Sequence, residues 1–560
     1  MPVDIAGFAS AQESPSASSD DGSALIDQDT LPTAIELKGT RPQSDSSVLP
    51  PAATELPETL ESLQSPPSLA LPNQPEQVRI RELKPLTLAE VERLAEVNSP
   101  ELKAVALEVQ QAKSSLRAAI ASWYPKLSLS ANGLPQYFSG QQRLSGDNGF
   151  ETENTTTGLQ QSSGPQERSG LTYTERTSAA FNASLDWNLI DPRRVPDIAA
   201  ARDTFERARD AYLIALRGLR LEAAKSYYNL QRYDESVNVG KQSVIASLIS
   251  LRDARARYQA GVATKLEVLE AETQLARDED LLTQKLNFQV KSRRDLARLI
   301  DLPQDITPTA ASPARIVGSW EPSLQESIIA AYAFREELDQ FILDISINNS
   351  KANSALAAVQ PILSIFNDFS TSRSEITQSQ KSFSTDRETW GLDNAVGLSA
   401  TWNIFDGGRA RAEFRRNKQA AEASAYEFAK QRGRIRFQVE QSFYDLRAKQ
   451  QTIHTTSREV LSQREALRLS RLRFQAGVAT QREVVDNQRD LTNAQLKYVD
   501  ALADYNISLA ELRRRTGLDQ VAACPALDLP AEKAQPSGVE DIPIEPSPNI
   551  PACQASLLGS

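Results

Sequence analysis

Apolar residues recur along this chain with two different periods. Tyr498, Leu502, Tyr505, Leu509 and Leu512 step by 4, 3, 4 and 3, the spacing of a helical seam packed on a neighbouring helix. Leu266, Leu269, Thr273 and Ala276 predict a similar stripe. Elsewhere the period is two. Leu127 and Leu129 oppose Ser128 and Ser130. Ala179, Phe181, Ala183, Leu185 and Trp187 oppose Asn182, Ser184, Asp186 and Asn188, and Val396, Leu398, Ala400 and Trp402 oppose Gly397, Ser399, Thr401 and Asn403. Such alternation predicts strands with one oily and one wet face, as in a membrane barrel or a soluble sandwich. Trp187 and Trp402 at the strand ends favour the membrane, whose interfaces attract aromatic rings. No run of about 18 apolar residues occurs, which excludes a transmembrane helix but not a barrel, whose strands need only about 10 residues.

Proline divides the chain. Residues 12–86 hold eleven prolines among Ser, Gln, Asp and Glu, so residues 1–85 are expected to form a disordered arm that buries no core. Residues 197–302 and 362–524 hold none and are rich in helix formers. Prolines return after Gln520, which predicts an irregular tail over 519–560. Ala9-Ser10-Ala11 before Gln12 has the small-x-small pattern of a signal-peptidase site, with only eight residues and no apolar stretch ahead of it. This predicts a translation start upstream of Met1; a chance run of common residues is the alternative.

The chain is written twice. Arg257-Tyr258-Gln259-Ala260-Gly261-Val262-Ala263-Thr264 recurs as Arg473-Phe474-Gln475-Ala476-Gly477-Val478-Ala479-Thr480, seven of eight residues identical at an offset of 216 (477 − 261). Ser226 to Leu230 matches Ser442 to Leu446 in the same register, Asp186-Trp187-Asn188 matches Thr401-Trp402-Asn403, and Tyr124-Pro125-Lys126-Leu127 pairs with Gln360-Pro361-Ile362-Leu363. The longer spacing upstream places a loop in the first copy, between Ser139 and Gly170. Each copy reads helix, strand, loop, strand, long helix, tight turn, long helix, over 86–303 and 323–518 with a linker at 304–322.

The corners and turns carry intelligible chemistry. Pro125 and Pro361 close the first helix of each copy. Asp191-Pro192 predicts an N-cap carboxylate ahead of a proline, and Asp406-Gly407-Gly408 is the matching corner. From Pro192 to Ala260 a continuous helix would span roughly 100 Å, too long for a compact domain. At its tip, Arg255 and Arg257, like Arg471 and Arg473, suit a helix C-terminus. Gly261 and Gly477 supply the left-handed C′ position. Thr264-x-x-Glu267 and Thr480-x-x-Glu483 predict capping boxes that restart the returning helices.

Composition narrows the function. With 62 Lys+Arg against 73 Asp+Glu, net charge −11, no long segment concentrates basic residues, so nucleic acid is not an expected partner. One histidine and two cysteines leave metalloenzyme and triad chemistry without raw material, and no catalytic residue, metal site or cofactor is expected. His454 reads as a solvated face residue. Cys524 and Cys553 flank the tail, as an intrachain disulfide or as two free thiols.

Taken in order, these motifs resemble the TolC-like outer-membrane efflux proteins. The resemblance spans roughly Leu86 to Leu518 and includes the Asn98-Ser99-Pro100-Glu101-Leu102 start, the Trp402-Asn403-Ile404-Phe405-Asp406-Gly407-Gly408-Arg409 corner and both Arg-(Tyr/Phe)-x-x-Gly tips. It implies a mainly α tandem-repeat fold with a β-barrel part. Each protomer of a homotrimer would give four strands to one twelve-stranded outer-membrane barrel and its helices to a long periplasmic α-barrel. The implied function is a passive exit duct, not an enzyme, for tripartite efflux or type I secretion, coupled to a periplasmic adaptor (membrane fusion) protein and an inner-membrane pump or ABC transporter. Substrate choice would rest with that pump. The resemblance places adaptor docking at Gly261, Val262, Ala263 and Thr264 and at Gly477, Val478, Ala479 and Thr480. It places a periplasmic aperture at Glu483 and Asp486, with Glu267 and Glu270 at the corresponding place of the first copy. The competing expectation is a soluble coiled-coil scaffold, which explains the heptads but not alternating segments at matched positions in both copies.

Overall fold

Helix α1 (Leu88–Asn98) begins where the Thr87 hydroxyl accepts from Glu90 N–H and the Glu90 carboxylate answers to the Thr87 backbone. Ser99 then caps α2 (Pro100–Ile120) with proline at its first position. Tyr124, ahead of Pro125, turns to φ −100° and ψ 153°, and the chain leaves the helix for an extended strand. The computed structural model describes residues 53, 55–67, 69, 71–144, 170–380 and 383–518.

In chain order there follow β2 (Lys126–Leu144), β3 (Gly170–Ile190), α3 (Arg194–Gln259) and α4 (Lys265–Leu299). The second copy repeats the series as α5 (Leu324–Phe334), α6 (Glu336–Ala357), β5 (Ile362–Gln380), β6 (Phe383–Thr401), α7 (Arg409–Gln475) and α8 (Gln481–Thr516). Two short strands, β1 (Glu82–Leu86) and β4 (Ile306–Ala310), pair in parallel beside the helices. All described residues belong to one compact unit, so the copies share packing instead of forming separate domains.

The long strands form one antiparallel sheet of order β2-β3-β5-β6. Its register sorts the side chains as the alternation predicts. Leu127 faces Leu185, Trp187 faces Ile365, Ile365 faces Leu398 and Thr371 faces Leu392 on the apolar side. Ser128 faces Ser184 with their hydroxyls 2.6 Å apart, and Ser370 faces Asp393, on the polar side. Position 397, on that side opposite Phe366, is glycine because a Cβ there would meet the Phe366 ring at 2.8 Å.

The seam Leu502, Tyr505, Leu509 and Leu512 is buried against Ile435, Val439 and Leu446 of α7. The companion stripe needs correction. Leu266, Leu269, Thr273 and Ala276 are exposed, and the face of α4 that packs on α3 is Val268, Ala271 and Leu275. Periodicity identified an apolar face, not its partner.

Three further expectations are corrected. Residues 55–86 do bury a core: Leu60 and Leu63, on a 3-10 turn over Glu58–Leu63, pack with Leu94, Tyr227 and Leu296. Asn98 holds them, accepting from Ser65 N–H at 3.2 Å and donating to the Leu63 and Ile300 carbonyls. The linker 304–322 contains β4. Ser139 to Leu144, assigned to a loop, are strand residues paired with Glu175 to Gly170. The arm before residue 53, including Ala9 to Gln12, the first-copy loop 145–169 and the tail with Cys524 and Cys553 lie outside the described residues.

Candidate functional site

Each pair of long helices is joined by a turn of the same construction. Val262 N–H donates to the Arg257 carbonyl and Gly261 N–H to that of Tyr258, with Gly261 at φ 75°. Val478 and Gly477 repeat these bonds to Arg473 and Phe474, with Gly477 at φ 78°. This is a Schellman closure, in which the left-handed residue lets two otherwise unpaired helix carbonyls find donors. A side chain at either glycine would meet nothing, but φ would strain it. Val262 and Val478 project at 74% and 65% exposure, so each turn presents an apolar knob to solvent.

The returning helices restart differently. At the first tip the capping box is complete: Thr264 Oγ1 accepts from Glu267 N–H while Glu267 Oε1 accepts from Thr264 N–H at 3.2 Å. At the second tip, Thr480 caps Glu483 N–H, but the Glu483 carboxylate goes to Arg473, 2.7 Å away. The expected second box is therefore only half formed. With Arg473 within reach, the carboxylate meets a full positive charge in place of a neutral amide dipole. Arg257, the counterpart of Arg473, instead lies 4.1 Å over the Phe474 ring and binds the second hairpin.

The four carboxylates assigned to an aperture lie just past the tips, paired three residues apart and hence on one side of each helix. Glu267, Glu270, Glu483 and Asp486 are all half-exposed. In the second copy both have cations at hand: Glu483 has Arg473, and Asp486 has Arg489 at 3.3 Å and Arg482 at 4.0 Å.

The strand-to-helix corners fix how the hairpins hang from the sheet. Asp406 accepts from Gly408 N–H at 2.9 Å and Ala410 N–H at 2.7 Å, and these bonds hold its carboxyl below the usual range. Asp191 is not the N-cap expected of it. Arg193 occupies that position, and the Asp191 carboxylate accepts from Arg193 N–H and its guanidinium. Burial pushes the Asp191 carboxyl up, and its bonds to Arg193 outweigh burial, leaving a lowered pKa. Arg194, nearly buried, stacks 4.2 Å over Trp123 and donates to the Asn188 carbonyl at 2.5 Å.

Sequence reading missed a buried ionic knot where α3, α6 and α8 meet. Arg217, wholly buried, pairs with Glu336 and donates to the Phe334 carbonyl at 3.1 Å. Arg335 and Arg514 each lie 3.0 Å from Glu337. The available hint was Arg335-Glu336-Glu337 between two helices and the Arg513-Arg514-Arg515 run that ends α8. Among the described residues no cluster of His, Cys, Asp and Glu is arranged to hold a metal, and no helix is long and apolar enough to cross a membrane.

This architecture has known counterparts. The VceC outer membrane protein of Vibrio cholerae superposes with a TM-score of 0.57 at 16% identity, over 77% of this chain and 96% of that one. The open-state MtrE outer membrane channel of Neisseria gonorrhoeae gives 0.57 at 18% identity, over 83% and 96%. Nodulation protein T of Rhizobium leguminosarum bv. viciae is 24% identical over 405 residues, which cover 69% of this chain and 81% of that protein. The family described as Outer membrane efflux protein matches residues 92–301 and 330–518, one stretch in each copy of the repeat. A chain so matched, with four barrel-type strands and two long helical hairpins, belongs to the outer membrane efflux protein family and is a TolC-like exit duct of the outer membrane.

Proposed function

We propose that three copies of this chain close one twelve-stranded barrel and one helical tunnel, and that the tunnel receives substrate from an inner-membrane pump through a periplasmic adaptor docked on the tips. The observation that carries this reading is the pair of open sheet edges. β2 and β6, each 19 residues long, have no partner on their outer sides among the described residues. Unpaired backbone groups at an apolar edge are untenable in lipid. Four strands cannot close; eight would be filled by side chains, whereas twelve leave a lumen. Each β6 edge then pairs with the β2 edge of the next copy.

The apolar face has the height of a bilayer. From Trp390 to Trp402 the chain advances about 40 Å at 3.3 Å per residue, and a strand tilted by about 45° covers about 28 Å of that along the normal, against an apolar band of about 25 Å. Leu392, Val396 and Leu398, exposed to the extent of 56%, 68% and 67%, share the interval with Asn394 and Ala400. Trp rings at both ends suit the two interfaces.

Adaptor docking at Gly261 to Thr264 and Gly477 to Thr480 is supported by the exposed Val262 and Val478 in two nearly identical turns. Turn chemistry alone needs only the glycine and the capping threonine. An aperture at Glu483 and Asp486, with Glu267 and Glu270, is supported by their common level beside the tips. The decisive experiment is gel mobility of detergent-extracted membranes. A trimer that survives unheated SDS and dissociates on heating is expected; a protein recovered in the aqueous fraction as a non-barrel species would overturn the duct in favour of a scaffold.

A further inference from the structure

Four helix ends join the strands: the last turns of α2 and α6 and the first turns of α3 and α7. The eleven residues nearest the strands at these ends hold ten cations against three carboxylates, in a chain whose net charge is −11. Positive charge is therefore gathered into one belt beside the sheet. Past the Asp191 corner α3 begins Arg194-Val195-Pro196-Asp197, whereas past the matching Asp406 corner α7 begins Arg409-Ala410-Arg411-Ala412-Glu413-Phe414-Arg415-Arg416. α2, α3, α4 and α8 each carry a carboxylate in the first turn, and α7 carries none. Cations at a helix N-terminus oppose its dipole, and Arg411 and Arg415 are like charges one turn apart, so this sequence weakens its own helix.

The protein does not neutralise these groups. Arg409 has Glu413 at 3.2 Å. Arg411, Arg415 and Arg416 are exposed and make no ion pair among the described residues, and the same holds for Lys113 and Arg117 on α2 and Lys351 on α6. At this level the helices pack in the order α2, α3, α6, α7, which leaves α2 and α7 as edges. Closing three copies into a tunnel sets the basic start of α7 beside the basic end of α2 in the next copy. The one carboxylate in those two stretches is Glu413, already engaged. Like charges brought together in this way call for an anion from outside the protein.

The neighbouring surface identifies its chemistry. Trp402, Ile404 and Phe405, between β6 and α7, are exposed, as are Trp123 and Tyr124 between α2 and β2. Arg411 to Arg416 follow within about 12 Å of the start of α7 at 1.5 Å per residue, and an arginine stem can carry its guanidinium back toward an apolar boundary. An apolar rim followed by a cationic belt matches acyl chains followed by headgroup phosphates. A zwitterionic headgroup brings its own cation, so excess positive charge selects one with net negative charge.

We propose that this collar binds anionic phospholipids of the leaflet nearest the helices, with Arg411, Arg415 and Arg416 holding the headgroup phosphates at the junction of two copies. The site rests on the trimeric duct reading, which sets the strands in a bilayer and the helices beside it.

The test uses trimers of the full chain, stripped of lipid in detergent and offered equal amounts of phosphatidylglycerol and phosphatidylcholine. Native mass spectrometry should show phosphatidylglycerol retained about tenfold over phosphatidylcholine at low salt, and the preference should fade at about 0.5 M salt. Arg411→Gln/Arg415→Gln/Arg416→Gln should lose the preference, and the corresponding triple lysine variant should keep it. Equal retention of both lipids by the parent, a preference indifferent to salt, or a glutamine variant that assembles and behaves as the parent overturns the collar. Displacement of the lipid by equimolar inorganic phosphate reveals a site for free anions and overturns the lipid. A parent that retains phosphatidylglycerol only after the six carboxylates from Asp519 to Glu545 are replaced by amides has its own tail as occupant, which also overturns it. A parent that forms no trimer overturns the duct reading, whereas trimers without lipid preference overturn the collar alone.

Discussion

Trp402 donates its indole N–H to the carbonyl of Val359 at 3.0 Å, the same bond that Trp187 makes to the carbonyl of Trp123 at 2.9 Å. Each acceptor stands two residues before the proline that precedes a strand. The bonds tie the last residues of β3 and β6 back to the ends of α2 and α6. Trp402→Phe keeps the ring and loses one hydrogen bond, at a cost of about 1 kcal/mol. The dissociation temperature of the trimer on unheated gels should fall by a few degrees for Trp402→Phe or Trp187→Phe, and further for the double variant.

Two half-buried carboxyls give opposite pH dependences. Burial, then the charges of Asp339, Glu336 and Glu206, push the Asp210 carboxyl up to about 8. The folded chain thus holds this proton more tightly than the unfolded one, and the stability it confers is lost as pH rises from about 4 to 8. Burial also opposes ionisation of Glu337, but Arg335 and Arg514 outweigh it and lower the carboxyl to about 2. Its contribution is present above its ordinary value and lost as pH falls toward about 2. Thermal melts of Asp210→Asn should flatten the decline between pH 5 and 8, whereas Glu337→Gln should flatten the acid limb and lower stability at neutral pH.

Val478→Asp should abolish efflux while leaving folded trimers in the membrane, since Val478 is 65% exposed and its side chain supports no core. Gly477→Arg should do the same at a small extra cost, because its φ of 78° disfavours any side chain. Susceptibility assays and trimer gels on the same cells separate the two effects; unchanged drug resistance would remove docking from this turn.

Glu483→Gln with Asp486→Asn leaves Arg473 and Arg482 without their carboxylate partners and Arg489 with Asp490 alone. Threefold repetition would multiply that loss of negative charge at the aperture, where Glu267 and Glu270 remain. In planar bilayers the reversal potential in a salt gradient should shift toward anion selectivity, with divalent block reduced. Identical reversal potential and block would place the constriction elsewhere.

What the sequence revealed and what it concealed divides along local and non-local physics. The tips were legible because a left-handed Gly261 and a capping Thr264 are local requirements, doubled at Gly477 and Thr480. The strands were legible because one face of the sheet is predominantly apolar, interrupted by Asn367, Thr371 and Asn394. Leu60 and Leu63 were not, since they lie in a proline-rich stretch without period and depend on Asn98, 35 residues from Leu63. Glu483 fitted a capping box by spacing, yet its partner is Arg473 across the turn. Arg217 stands in an ordinary helical run, and only the fold brings Glu336 to it, 119 residues away.

The 66-residue span of α3 makes it a lever. At 1.5 Å per residue it is about 100 Å long, so a rotation of about 3° at its upper end sweeps its far end through about 5 Å, close to one helical pitch. Its upper end is held at the Arg194 corner, where the guanidinium grips Trp123 and the Asn188 carbonyl. A rigid tilt of the hairpin about that corner would therefore be amplified at the tips into a displacement comparable with the width of a small solute.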